Sequence, residues 1–120
     1  MVLVVGIGSL FFIAGNNKKN STEIINNVSI VNGKQIIEIK AKGGYFPVVS
    51  LAKPNIPTII RFNTSGTFDC SASIRIQSLD ISKILPSSGL TDIDITNSPT
   101  GILQGSCGMG MYPFEIDFKG

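Results

Sequence analysis

Short segments in which apolar and polar residues alternate recur along most of the chain, separated by glycine, proline and other turn-forming residues. A period of two is typical of a β-strand with one buried face, because successive side chains point to opposite sides of a sheet. The pattern predicts seven strands, at residues 35–40, 45–51, 58–63, 73–76, 91–95, 101–106 and 114–118. One helical turn is expected within residues 78–85, where Pro86 would end it.

The first 15 residues form an apolar run without a charged side chain. As a helix this run would be about 22 Å long, which is shorter than the roughly 30 Å hydrocarbon core of a bilayer. That length is typical of a signal-peptide apolar region or a short anchor. Phe12 occupies the position where a cleavage site requires a small residue before Ala14. We therefore expect a short, uncleaved hydrophobic helix at residues 1–15 that anchors the protein in the cell membrane.

A polar segment follows the apolar run. Residues 16–27 are rich in Asn, Lys, Ser and Thr and are expected to be a linker, which leaves residues 28–120 as the folded domain. Lys18 and Lys19 lie after the run and no basic residue precedes it. The positive-inside tendency would then place the domain in the cytoplasm, whereas a start site further upstream would allow the opposite orientation. The side of the membrane is left open.

Composition narrows the classes of function. The chain has 120 residues, of which 42% are hydrophobic and 15% charged, and its Val, Ile, Thr and Phe favour strands over helices. The net charge of +2 comes from residues spread along the sequence without a basic stripe, so nucleic acid is not an expected partner. Because there is no histidine and no carboxylate cluster, general acid–base catalysis lacks its usual groups. We expect a non-enzymatic protein without a small-molecule substrate.

The sulfur-containing residues carry the most specific chemical signal. The only two cysteines are Cys70 and Cys107, and the second opens the sequence Cys-Gly-Met-Gly-Met, which contains Met109 and Met111. Thiolates and thioethers are soft ligands that select Cu(I) over harder metal ions. Glycines between the sulfur residues allow tight turns that bring several side chains toward one point. We expect a Cu(I) site near the protein surface, with two ions bridged by the thiolates and completed by the thioethers.

Other chemistries compete with this interpretation. A β-sandwich with two cysteines often holds a structural disulfide when it lies outside the cytoplasm. The two methionines beside Cys107 would have no role in such a bond, and they are poor core residues in a glycine-rich loop. A blue-copper electron-transfer site needs two imidazoles, and a His-liganded catalytic zinc needs at least one, so the absence of histidine excludes both.

Residues 44–119 resemble the cupredoxin-like domains of bacterial copper handling. The resemblance depends on three segments, at residues 44–47, 73–79 and 106–112. It implies an all-β fold, a Greek-key antiparallel β-sandwich preceded by the N-terminal hydrophobic helix, with the metal at one pole. The chain is most similar to the membrane-anchored cupredoxin-fold copper chaperones of Gram-positive bacteria. Carried over residue by residue, the metal ligands would be Cys70, Cys107, Met109 and Met111.

The resemblance also implies a biological role. The protein would hold two Cu(I) ions in copper resistance and pass them to the metal-binding domain of a copper-exporting P-type ATPase. The first alternative is a structural or sensory surface module with a Cys70–Cys107 disulfide. The second is an accessory electron-transfer or copper-delivery domain for an oxidase.

Overall fold

The computed structural model describes residues 26–119, so the predicted anchor and most of the predicted linker lie outside it. Within the described range the chain forms ten strands and two short 3-10 turns. The strands are β1 (Val28–Val31), β2 (Lys34–Ala41), β3 (Tyr45–Phe46), β4 (Val49–Ala52), β5 (Pro57–Thr64), β6 (Ser73–Ile76), β7 (Ile81–Ile84), β8 (Gly89–Asn97), β9 (Gly101–Cys107) and β10 (Pro113–Phe118). Among these residues there is no helix with the length and apolar character that a membrane crossing requires.

The strands are divided between two sheets. The first has the order β1-β2-β5-β8, with β3 paired to β2, and the second has the order β4-β10-β9-β6-β7. Most neighbours are antiparallel, but β2 pairs with β5 and β4 pairs with β10 in parallel. These two parallel pairs correct the prediction of a purely antiparallel sandwich. The members of each parallel pair are separated in the chain by other strands, and a period-two pattern carries no information about strand direction.

One hydrophobic core lies between the sheets. The period-two pattern determines which side chains enter it, as in β2, where Ile37, Ile39 and Ala41 are buried and their neighbours are more exposed. The second sheet contributes its own alternating set, including Ile74 and Phe114. The predicted all-β, two-sheet architecture is therefore confirmed.

Several predicted strands differ in detail from the structure. The segment 45–51 is two strands, β3 and β4, interrupted at Pro47, which has no backbone N–H to donate to a sheet. The helical turn predicted within 78–85 is a 3-10 turn at Gln77–Leu79 followed by strand β7. Strand β1 was not among the predicted strands; only one of its four residues is half-buried and the other three are exposed. Each of these missed strands is short or lies at a sheet edge, where the alternation of burial is weakest.

Candidate metal centre

One end of the sandwich brings together three segments, and we call it the sulfur pole. They are the 3-10 turn Cys70–Ala72 before β6, the loop 108–112 between β9 and β10, and the glycine pair between β2 and β3. Hydrogen bonds connect these segments, and in one of them Gly108 N–H donates to the carbonyl of Ser73, the residue after the Cys70 turn, at 3.0 Å. Gly43 N–H also donates to the Asp69 carboxylate at 3.0 Å. The pole is thus a fixed meeting point of both sheets.

The two cysteines lie together at this pole. Their Sγ atoms are joined as a disulfide, and their Cα atoms are 5.7 Å apart. Cys107 is the last residue of β9 and is 0% exposed, whereas Cys70 is only partly buried. The predicted strand ends at residue 106, so β9 extends it by one residue, and the complete burial of Cys107 corrects the expectation of a shallow site at that residue. The pair thus consists of one fully buried cysteine and one partly buried cysteine.

The turn that carries Cys70 is held in place by the residue before it. Asp69 is the N-cap of the 3-10 turn, and its carboxylate accepts hydrogen bonds from Ser71 N–H and from the Ser71 hydroxyl, the latter at 2.9 Å. Partial desolvation acts to raise the pKa of Asp69, but the hydrogen bonds from Ser71 and Gly43 outweigh it and lower that pKa below its ordinary value. Asp69 is therefore ionised and fixes the backbone on which Cys70 lies.

Tyr45 supports the same turn from within the core. Its hydroxyl lies 3.2 Å from the Ser71 carbonyl oxygen and 3.3 Å from that of Ser73. Its ring packs edge-to-face against Phe62 of the first sheet and Phe114 of the second, with centroid distances of 6.1 and 5.0 Å. Burial, with a further contribution from the Asp69 charge, raises the pKa of Tyr45 above its ordinary value. A neutral tyrosine thus connects the aromatic core to the Cys70 turn.

The loop after β9 folds back on Cys107. Gly110 N–H donates to the Cys107 carbonyl at 2.9 Å, and Gly110 adopts a φ of +77°, a conformation that glycine tolerates best. The Met111 amide N–H then donates to Cys107 Sγ, with a nitrogen–sulfur distance of 3.2 Å. The loop therefore supplies a hydrogen-bond donor to the buried sulfur.

The methionine side chains point away from the core. Met109 is 79% and Met111 is 61% exposed, and Phe68, two residues before Cys70 in the chain, is 86% exposed. The structure therefore brings the two cysteines into contact and leaves the two thioethers exposed on the loop that follows Cys107.

The four predicted ligands share one pole. Within the described residues, no group of three or more cysteine, aspartate or glutamate side chains converges on a point where an ion could be held. Sequence reasoning did not identify the supporting roles of Asp69, Ser71 and Tyr45. The Asp-Cys-Ser sequence is a signal that could have identified the first of these, because aspartate commonly caps a turn in this way.

No protein-family model and no curated protein matches this chain. Among solved structures, it is similar to the metal-binding domain of the Cu(I)-exporting P-type ATPase CopA of Streptococcus pneumoniae D39, crystallised with Cu(I). The identity is 27% and the TM-score 0.70, over 78% of this chain and 93% of that one. A copper-binding protein solved by NMR in its apo form is similar at 25% identity and a TM-score of 0.70, over 77% and 94% of the two chains. The chain thus shares its β-fold with two copper-binding domains.

Proposed function

We propose that this protein is a cupredoxin-like Cu(I) carrier that acts when its two cysteines are reduced. Cys70 and Cys107 would supply the charged donors, and Met109 and Met111 the neutral ones. The observation that supports this most strongly is the position of both cysteines at the pole where the loop exposes both thioethers. The likeness to a domain crystallised with Cu(I), which extends over nearly all of that domain, supports copper as the ion carried.

The donor set fits cuprous copper in its chemistry. Cu(I) accepts low coordination numbers and prefers thiolate and thioether sulfur. We propose two ions per chain, one bound tightly by both thiolates and one bound more loosely with the help of the methionines. A Cα separation of 5.7 Å allows both thiolates to contact the same ion once the disulfide is reduced.

A titration of the reduced 120-residue chain with Cu(I), in competition with a chromophoric Cu(I) chelator, tests the binding step. We expect saturation at two ions, with the first ion withheld from the chelator more strongly than the second. Addition of Cu(II) should produce no intense blue thiolate band, because such a site needs two imidazoles. A chain that binds no Cu(I), or one that turns blue with Cu(II), would contradict the proposal.

We further propose that the protein delivers copper to the metal-binding domain of a copper-exporting P-type ATPase, within a copper-resistance role at the membrane. The exposed methionines and Phe68 leave one side of the pole open to an incoming thiolate, so that the ion can pass by ligand exchange. A membrane anchor would raise the effective concentration of the carrier beside the ATPase.

Mixing the copper-loaded chain with the apo metal-binding domain tests this delivery step. Copper should move faster than it is lost to a chelator alone. If transfer is no faster than spontaneous release, the protein is a copper store and not a chaperone.

A second candidate is a β-sandwich module whose disulfide is purely structural. The disulfide between Cys70 and Cys107 favours it. In that case removal of the bond should lower stability by roughly 2–4 kcal/mol, as expected for the cross-link of a long loop, and the reduced chain should show no affinity for Cu(I).

A further inference from the structure

The two cysteines are unequal in their access to solvent, and this inequality has a chemical consequence. Cys107 Sγ belongs to a residue that is 0% exposed, at the end of β9, whereas Cys70 lies in a short turn and is only partly buried. The 5.7 Å between their Cα atoms is within the ordinary range for a disulfide. The bond can therefore form and break without a large movement of either backbone segment.

We propose that Cys70–Cys107 is a thiol–disulfide exchange site for small-molecule thiols, that Cys70 is the sulfur attacked, and that the bond excludes Cu(I) until it is opened. The last part rests on the proposed copper-binding function. The exchange itself rests only on the position of the two sulfurs and their neighbours.

A small-molecule thiolate attacks Cys70 Sγ, the Cys70–Cys107 bond breaks, and the electron pair of that bond leaves on Cys107 as a thiolate. A second thiolate then attacks the small-molecule sulfur of the mixed disulfide and releases Cys70 as a thiolate. Two small-molecule thiols are oxidised to one disulfide, the protein disulfide is reduced by two electrons, and the protons follow the solution pH.

The environment of Cys107 supports its role as the leaving group. A buried thiolate is costly unless a hydrogen bond compensates for the loss of water. The Met111 amide N–H, 3.2 Å from Cys107 Sγ, supplies such a donor. Because this donor belongs to the backbone, it is retained when the methionine side chain is replaced.

Access directs the incoming thiolate to the other sulfur. Cys70 is the first residue of a three-residue turn that Asp69 caps and that Tyr45 contacts through the Ser71 carbonyl. Because Cys107 is fully buried, any exposure of the cysteine pair lies at Cys70. Exchange rates depend on which sulfur an attacking thiolate can reach. The burial of Cys107 thus gives the exchange a direction.

Single-cysteine variants test the direction of attack. The 120-residue chain is prepared as Cys107→Ser and as Cys70→Ser, each is incubated with oxidised glutathione, and the mixed disulfide is followed by mass spectrometry. We expect Cys70 in the first variant to be modified roughly tenfold faster, or more, than Cys107 in the second, because access limits the exchange rate. Far-UV circular dichroism and thermal unfolding check that both variants fold.

The chain with both cysteines present provides a second measurement, which does not depend on cysteine substitutions. Its disulfide should open in reduced glutathione under native conditions, and Gln104→Ala, which changes an exposed side chain of β9 outside the sulfur pole, should leave that rate unchanged. Equal modification of both cysteines would overturn the proposal. So would a disulfide that opens only after the protein is denatured, since that bond would be structural.

The copper titration separates this proposal from the proposed function. The oxidised chain should take no Cu(I) from the chelator. Reduction of the chain with glutathione, followed by removal of the glutathione, should restore Cu(I) binding. Equal binding by the oxidised and reduced chains would overturn the gating of copper. The chain could also exchange its disulfide with glutathione as expected and yet bind no Cu(I) when reduced. That result would overturn the proposed copper function and the control of copper binding by the disulfide, and it would support the exchange site.

Discussion

At the scale of single residues, the four sulfur ligands proposed here are not equivalent. Cys107 is enclosed in the core and accepts a hydrogen bond from the loop, Cys70 lies at the edge of a capped turn, and the methionines are mostly exposed. Charge adds to this difference, because a thiolate is an anionic donor and a thioether is neutral. Loss of a cysteine and loss of a methionine should therefore have different consequences.

Substitution of the sulfurs one at a time should divide the proposed site into two classes. Cys70→Ser and Cys107→Ser should abolish tight Cu(I) binding, because each removes an anionic donor. Met109→Leu and Met111→Leu should spare the tight ion and weaken the second by about tenfold, or about 1.4 kcal/mol. Chelator competition on the reduced chains measures both affinities, and loss of the tight ion in a methionine variant would disprove the two-class site.

Tyr45 should make stability depend on pH in the alkaline range. Its burial raises its pKa in the folded state, so above about pH 10 the unfolded chain releases the phenol proton while the folded chain retains it. Stability from this group is complete below about pH 10 and is lost as the pH rises further. Tyr45→Phe should lower the free energy of unfolding by about 1 kcal/mol at neutral pH through the lost hydrogen bond. At higher pH the difference in the free energy of unfolding between Tyr45→Phe and the wild type should become smaller.

Urea unfolding at about pH 8 and about pH 11 measures this difference, because one pH lies below the ordinary tyrosine pKa and the other lies above it. Tyr112→Phe is the matched control, because it keeps Tyr45 and should show the wild-type loss between the two conditions. Parallel losses in the wild type and in Tyr45→Phe would show that Tyr45 is not responsible.

At the scale of secondary-structure elements, the β9–β10 hairpin positions the sulfur loop. Gly105 of β9 lies directly opposite Phe114 of β10, and the Phe114 ring occupies the space above the glycine. Phe114 is in turn part of the aromatic group that reaches Tyr45 and the Cys70 turn. The hairpin thus connects the loop that carries the methionines to the support beneath Cys70.

Gly105→Ala should disturb this connection. An added Cβ would clash with three atoms of the Phe114 ring, which is buried and has no room to move aside. We expect a loss of about 1–3 kcal/mol in the free energy of unfolding, as is typical of overpacking. The neighbouring exposed residue gives the control, and Gln104→Ala should change stability by no more than about 0.5 kcal/mol. Equal unfolding midpoints for the two variants would refute the packing role of Gly105.

At the scale of the whole molecule, the fold depends on a core shared by the two sheets. Side chains of β2 and β5 meet those of β6 and β10, and the aromatic rings of Phe62 and Phe114 pack across the interface at 5.6 Å. All of these contacts are between apolar side chains. The sandwich therefore has its own source of stability, unlike small domains that fold only around zinc.

The reduced, copper-free chain should accordingly unfold cooperatively. We expect a single transition with a free energy of unfolding in the usual range of about 5–15 kcal/mol, measured by urea titration with a reductant present. Addition of Cu(I) should raise the midpoint, because a ligand that binds only the folded state stabilises it. A reduced, copper-free chain without a cooperative transition would mean that the disulfide or the metal is required for folding.

Much of the local structure could be predicted from the sequence. The strand at Ser73–Ile76 has its predicted bounds, and the predicted strands in the regions of β2, β5, β8, β9 and β10 differ from the observed ones only at their ends. These predictions succeeded because alternation is a local property, set by which face of a strand is buried. The sulfur chemistry was equally local, since the Cys-Gly-Met-Gly-Met sequence and the absence of histidine limit the available donors.

The arrangement of the strands and the roles of the individual sulfurs were decided only by the tertiary structure. Strand order and the parallel pairs β2–β5 and β4–β10 depend on contacts between distant residues, which a repeating pattern does not encode. The burial of Cys107 and the partial exposure of Cys70 likewise follow from how three segments meet at one pole. The sequence by itself determined which sulfur donors the protein has. The fold decided which of them touch, because contact and burial depend on packing across both sheets.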